Sequence, residues 1–278
     1  MTHGSPLKNV RALAGHRRQH GLSLIELLVA MGLGLVMVLG IGTVYLGSRQ
    51  TYRMQEANAR VQETGRFALE EIGRSLRQAG ADANITANVT AVTILCDDGT
   101  GTCTAINGTD DSVNGTKSDT LAVQFYAGQD EQNAGNWGGR DCTGGFANAN
   151  TLITNTFSLN GTDLRCTGSV GGAQPLVSEI EDMQVMYGVD SDNNQSADIY
   201  TATPTAAQWP NVVTAKVCVM VRSTDQGLAA SGQTPLDCPH ALDPELIHTV
   251  ALPAINDTRL HRAFVATYNL RNRITNTP

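Results

Sequence analysis

Hydrophobic and polar positions change their spacing three times along the chain. Residues Leu27 to Ser48 carry no charged side chain. At about 1.5 Å per residue, a helix of that length spans roughly 33 Å, enough to cross the hydrocarbon of a bilayer. The run therefore predicts a membrane helix. Next comes "EANARVQETGRFALEEIGRSLRQAG", residues 56 to 80, where the apolar positions fall at helical spacing. Val61, Leu69, Ile72, Leu76 and Ala79 share one stripe. Glu63, Arg66, Glu70, Arg74 and Arg77 lie between them and offer the i,i+4 pairs Arg66 with Glu70 and Glu70 with Arg74. Gly80 suits a helix end. The two stretches read as one long helix whose first half meets lipid or protein and whose second half packs under a domain.

From about residue 85 the period shortens towards two. "VTAVTIL" (89 to 95), "TLAVQFY" (120 to 126), "VVTAKVCVMVRS" (212 to 223) and "RAFVATYNLRNR" (262 to 273) are rich in β-branched residues and partly alternate, so they predict strands. Asn-Gly-Thr follows an aliphatic residue at 106, 113 and 159, and Asn-Gly is a hairpin signal. The tract from 97 to 150 is dominated by Gly, Asn and Thr and predicts extended loops. A loop-rich insert is expected over 97 to 174. The fold class is therefore α+β, a long N-terminal helix packed on an antiparallel sheet. Aromatic residues make up only 5% of the chain while glycine reaches 28 residues, which suits a loop-rich β head.

Charge sharpens the division. The formal net charge is −7, yet the first 21 residues hold Lys8, Arg11, Arg17 and Arg18 and no acid. The remainder has 15 basic and 26 acidic residues, a net −11 that argues against nucleic acid as a partner. Arg17 and Arg18 before the apolar run should stay cytoplasmic, which places the rest of the chain outside. All six cysteines, Cys96, Cys103, Cys142, Cys166, Cys218 and Cys238, follow the run, and no two have C-x-x-C spacing. An even count beyond a membrane helix reads as disulfides, with pairing between neighbours the simplest arrangement; buried free thiols are the alternative.

One residue in the N-terminal region is out of place. Glu26 stands at the mouth of the apolar run, and burying an unpaired carboxylate in hydrocarbon is costly. It belongs to "G-LSLIELL", and Gly21, Leu22, Ser23 and Glu26 behind a basic leader resemble the class III signal of type IV prepilins and type II secretion pseudopilins. The resemblance implies cleavage after Gly21 by a prepilin peptidase and methylation of the new amino group on Leu22. It further implies that Glu26 neutralises the N-terminal ammonium of a neighbouring subunit in a fibre, an ion pair made where water is scarce. Leu22 replaces the phenylalanine that is commoner there. No proline interrupts the apolar half; Gly32, Gly34, Gly40, Gly42 and Gly47 either supply flexibility and close packing or reflect the ordinary composition of membrane helices.

Further along, "VQETGRFALEEIGRSLRQAG", "PLVSEIEDMQVMYGVD", "AKVCVMVRS" with Trp209 ahead of it, and "FVATYNLRNR" are similar in kind and order to the landmarks of PilW-type minor pilins. That resemblance implies a pilin lollipop: leader 1–21, membrane or fibre-core helix 22–48, amphipathic helix 49–80 and β-rich head 81–278. It implies a single-pass protein stored in the bacterial inner membrane with its head in the periplasm, later part of an extracellular fibre. Its partners would be other minor pilins, the major pilin and a large tip adhesin, and its function priming of pilus assembly and a place in the tip complex. A J-type minor pseudopilin of type II secretion and an adhesive tip module, with 97–174 as its binding surface, are the alternatives.

Catalytic motifs are scarce: G-x-S-x-G, the P-loop and H-E-x-x-H do not occur, and His240, His248 and His261 are far apart. The reading is of a non-enzyme. "DSDNNQSAD" places Asp190, Asp192, Asn194, Ser196 and Asp198 at positions 1, 3, 5, 7 and 9 of a calcium-loop-like pattern. Gln195 stands where such loops carry glycine, and Thr201 where they carry glutamate. The tract is either a Ca²⁺ site or an acidic solvated turn. The six Asn-x-Thr sequons, at Asn84, Asn88, Asn107, Asn114, Asn160 and Asn256, read as turn and strand composition.

Overall fold

The computed structural model describes residues 23–81, 104–110, 118–128, 138–149, 151–229, 238, 242 and 257–273. Helix α1 runs unbroken from Leu24 to Gln78, and Gly80, at φ 72°, turns the chain out of it. The residues divide into two compact units, one up to Tyr52 and one from Arg53 onward. In the first, every described residue except Gly42 is exposed.

The second unit is built of the remainder of α1 and eleven strands: β1 Ile106–Thr109, β2 Thr120–Tyr126, β3 Gly138–Arg140, β4 Phe146–Asn148, β5 Leu152–Asn160, β6 Asp163–Gly168, β7 Gly172–Val177, β8 Ile180–Val189, β9 Ile199–Thr201, β10 Val212–Arg222 and β11 His261–Asn269. Every pairing is antiparallel. One sheet has the order β1-β2-β5-β6-β7, the second β11-β10-β8-β9, and β3 pairs with β4 alone.

A single core joins the three layers. Ile72 and Leu76 of α1, Leu121, Val123, Phe157 and Leu164 of the first sheet, and Met183, Val185, Val217 and Val219 of the second are all buried in it. The helical stripe read from the sequence is buried as a set: Val61, Leu69, Ile72 and Leu76, with Ala79 just beyond the helix. Two glycines on that side of the helix have a steric reason. A Cβ at Gly65 would enter the ring of Phe264, and one at Gly73 the ring of Tyr268, so the aromatic residues of β11 lie directly on the helix backbone. Tyr268 also donates its hydroxyl to the Leu69 carbonyl at 2.6 Å. The end of α1 is tied to β2 by Gly80 N–H to Gln124 O and by Tyr126 N–H to Ala81 O, each 2.8 Å.

The β10 strand is buried on both faces, which explains its near-continuous apolar sequence. Val217, Val219 and Val221 face the core, while Cys218 and Met220 join Cys238 and Leu242 in a smaller cluster on the other side.

Several local expectations change. Ile106–Thr109 is strand β1, not a turn, because its backbone pairs with Thr120–Val123. The motif at 113 and the strand expected at 89–95 lie outside the described residues. At Asn160-Gly161 the third copy turns a hairpin, between β5 and β6, with Gly161 at φ 65°. The tract 97–174, expected to be loop-rich, supplies strands β1 to β6 and the start of β7. The helix ion pairs among the described residues are Glu56 with Arg60 at 2.6 Å and Glu71 with Arg74 at 3.3 Å, not those centred on Glu70. Strand β11 stops at Asn269 and a 3₁₀ turn, Arg271–Arg273, completes the run predicted as strand.

Candidate functional site

Glu26 lies in the first turn of α1, where its negative charge complements the amide end of the helix. The first helical hydrogen bond there is Leu27 N–H to Ser23 O at 3.1 Å. Around it the side chains are open: Leu24 is 78% and Ile25 69% exposed, and the apolar residues up to Leu46 are comparably bare. Burying one such side chain is worth roughly 1.5–3 kcal/mol. A surface of this extent demands lipid or other protein. Gly21 and Leu22 lie outside the described residues.

In the head, two disulfides join sequence neighbours among the cysteines: Cys142 with Cys166, and Cys218 with Cys238. Cys96 and Cys103 lie outside the described residues. The Cys142–Cys166 bond fixes the turn after β3 to strand β6. Beside it, Asp141 is almost fully buried and gathers the same elements. Its Oδ1 accepts from Thr143 N–H at 3.0 Å, Thr143 Oγ at 2.8 Å and Gly145 N–H at 2.8 Å, and its Oδ2 from the amides of Val170 at 2.9 Å and Gly171. Burial alone would raise the pKa of this carboxyl, but the hydrogen bonds from Gly171, Thr143, Val170 and Gly145 overcome that and hold it at about 2. Nothing in the sequence near residue 141 signals this role, since two of its donors come from the β6–β7 turn.

The acidic tract folds into a tight turn after β8. Asp190 is buried, and its two oxygens accept the amides of Asn194 at 3.2 Å and Gln195 at 2.8 Å. Asp192 accepts from Asn194 N–H at 3.1 Å and Nδ2 at 2.9 Å. Asp198 takes Ser191 N–H at 2.7 Å and Oγ at 2.6 Å, and these bonds keep its carboxyl low. Asn193 and Gln195 both have positive φ, 61° and 68°. Carboxylate oxygens of Asp190, Asp192 and Asp198 come within 4.8 Å of one another. Asn194 turns its Oδ1 to the Ser196 amide at 2.8 Å. The turn thus closes on its own backbone, and Ca²⁺ binding there is a proposal.

A mixed-charge cleft of about 440 Å³ runs between α1 residues Arg53 to Phe67 and the strand ends at Val177, Glu179 and Arg222 to Asp225. Beside it Arg222 bridges Glu179 at 2.7 Å and Glu181 at 3.4 Å. His261, which the sequence places far from the other histidines of the head, stands against Glu181 and Asp257.

The family described as Prokaryotic N-terminal methylation motif matches residues 16–42, and the family described as Type IV Pilus-assembly protein W matches residues 142–272. Together these two matches support a PilW-type minor pilin with a prepilin-type N-terminal signal. No curated protein matches it. Among solved structures, a type IV-like pilin from Thermus thermophilus is similar at 13% identity and a TM-score of 0.48, over 77% of this chain and 97% of that one. The PilW-type match begins at Cys142, takes in both described disulfides, the acidic turn and strands β4 to β11, and ends just past the last contact between β11 and the helix. The methylation-motif match covers Gly21, Leu22, Glu26 and the start of the exposed apolar helix. The protein is a pilus component with an apolar helix suited to membrane anchoring, and its family is one of structural subunits.

Proposed function

We propose that this PilW-type pilin works by polymerisation: it primes assembly of a type IV pilus together with other minor pilins and stays at the fibre tip. A prepilin peptidase would cut after Gly21 and methylate Leu22. The protein would wait in the inner membrane with its head in the periplasm until its apolar helix moves from lipid into a bundle of pilin helices. The observation that carries this reading is the pairing of the methylation-motif match at 16–42 with a helix whose residues from Leu24 to Ser48 are apolar or uncharged apart from Glu26. Such a surface has two stable surroundings, hydrocarbon and other pilin helices, and the lone carboxylate needs a cation only in the second.

The test is in-cell cross-linking followed by mass spectrometry of partners and of the N-terminal peptide. The expected result is a methylated N-terminal Leu22 and links to minor pilins and the major pilin. Links confined to type II secretion pseudopilins would replace the pilus by that machine, and an N-terminus at Met1 would remove the assembly mechanism altogether.

A further inference from the structure

At the start of β11 the His261 side chain is 4% exposed and lies between two carboxylates from different parts of the chain. Its Nδ1 donates to Glu181 Oε2 at 2.8 Å. In the neutral ring this hydrogen bond places the lone pair on Nε2. That atom is buried without a hydrogen-bond partner, and it faces Asp257 Oδ2 across 3.5 Å. Two acceptors therefore oppose each other over a gap too long for a good hydrogen bond. Something positive belongs between them.

The gap has the dimensions of a metal edge. Zinc binds imidazole nitrogen at about 2.0–2.1 Å and carboxylate oxygen at about 2.0–2.2 Å, so two ligands of a tetrahedral ion sit roughly 3.4 Å apart. A carboxylate on the far ring nitrogen is the usual device that orients a metal-bound histidine, and Glu181 supplies it. We propose that His261 Nε2 and the Asp257 carboxylate form a binding site for a divalent transition cation, zinc being the ion that fits, with Glu181 as the positioning residue.

The imidazole selects against calcium and magnesium, which take oxygen ligands, and so separates this site from the all-oxygen turn at 190–198. Water would have to complete the coordination from the side of Asp257, whose side chain is 16% exposed. Arg259 Nη1 approaches the same Asp257 oxygen at 3.7 Å and competes with the ion for it. A bound ion would join Asp257 to the first residue of β11. That reinforces the hydrogen bonds of Ser223 to Leu260 and of Leu228 and Ala229 to Thr258, which hold the chain after β10 against the chain before β11.

The experiment uses the untagged full chain in detergent, titrated with ZnCl₂ by calorimetry, with Co²⁺ as a spectroscopic probe whose visible absorption does not depend on stability. The expected result is saturable one-to-one binding that survives in Asp190→Asn/Asp192→Asn. It should fall at least tenfold in His261→Asn and in Asp257→Asn, and roughly 10–100-fold in Glu181→Gln. Arg259→Gln should tighten it. Absence of zinc binding in the wild type, or binding and cobalt absorption unchanged in His261→Asn, would overturn the site.

Discussion

Asp141 shows how much a single side chain can hold at a distance. Replacing it by asparagine leaves one acceptor oxygen and points an NH₂ group at donors, so buried amides lose partners at about 1–3 kcal/mol. The full-length Asp141→Asn protein in detergent should melt several degrees below wild type at neutral pH. Its acid response should change as well. A carboxyl held at about 2 in the fold contributes stability above the ordinary aspartate range near pH 4, and that contribution, about 2 kcal/mol, is lost as pH falls towards 2. Melting curves from pH 5 to 2 should show a steeper decline for wild type than for the variant; parallel declines would mean that the carboxylate charge is not what the amides hold. The acidic turn at 190–198 is the opposite case. It was legible because its ligand-like spacing is local, whereas the donors to Asp141 and the partners of His261 come from elsewhere in the chain. Its carboxylates already bind amides, so a Ca²⁺ ion has only their remaining lone pairs, and affinity should be no tighter than about 0.1–1 mM. Calcium should then raise the melting temperature saturably, magnesium hardly at all, and Asp190→Asn/Asp192→Asn should abolish the shift. No shift at several millimolar leaves a self-closed turn.

Among the elements, α1 and β11 carry the most specific contact. The helical stripe could be read from its own period, but Gly65 and Gly73 could not, since each is explained by an aromatic residue nearly 200 positions later. In an isolated helix, Gly to Ala would gain about 1 kcal/mol from propensity. Here the new methyl enters the Phe264 or Tyr268 ring, and overpacking typically costs about 1–3 kcal/mol, so the sign reverses. Gly65→Ala should lower the melting temperature, and the loss should shrink in a Phe264→Ala background, where the ring is gone and the propensity gain survives. Additive effects of the two changes would show that the ring does not set the glycine requirement. The strands were legible in proportion to their isolation from turn residues. β2 and β10 carry β-branched residues in partly alternating or continuous apolar runs, and both were predicted as strands. β5 and β6 lie in a tract whose Asn, Thr and Gly content disguised them, and they exist because β2 offers an edge for β5 to pair with.

For the whole molecule, the part read most directly was the N-terminal signal, because its motif lies in a few adjacent residues and the match at 16–42 falls on them. The head was read as a class only: its two sheets depend on pairings between distant strands. The same separation defines the Glu26 experiment. Glu26→Ala leaves Gly21, the basic leader and the apolar run intact, so the precursor should enter the membrane and be cut after Gly21 at wild-type levels. In lipid the variant is no worse off, since a carboxylate at the mouth of the run is hydrated at the interface. In the fibre the ammonium of a neighbouring subunit would lose its partner in an apolar bundle, and removing one member of a buried pair typically costs about 3–5 kcal/mol. That is a factor of more than about a hundred in association. Co-purification of the full-length variant with other pilins should therefore collapse while its processed mass stays correct. Wild-type recovery of partners would remove Glu26 from assembly, and an uncut precursor would place its role at the peptidase instead.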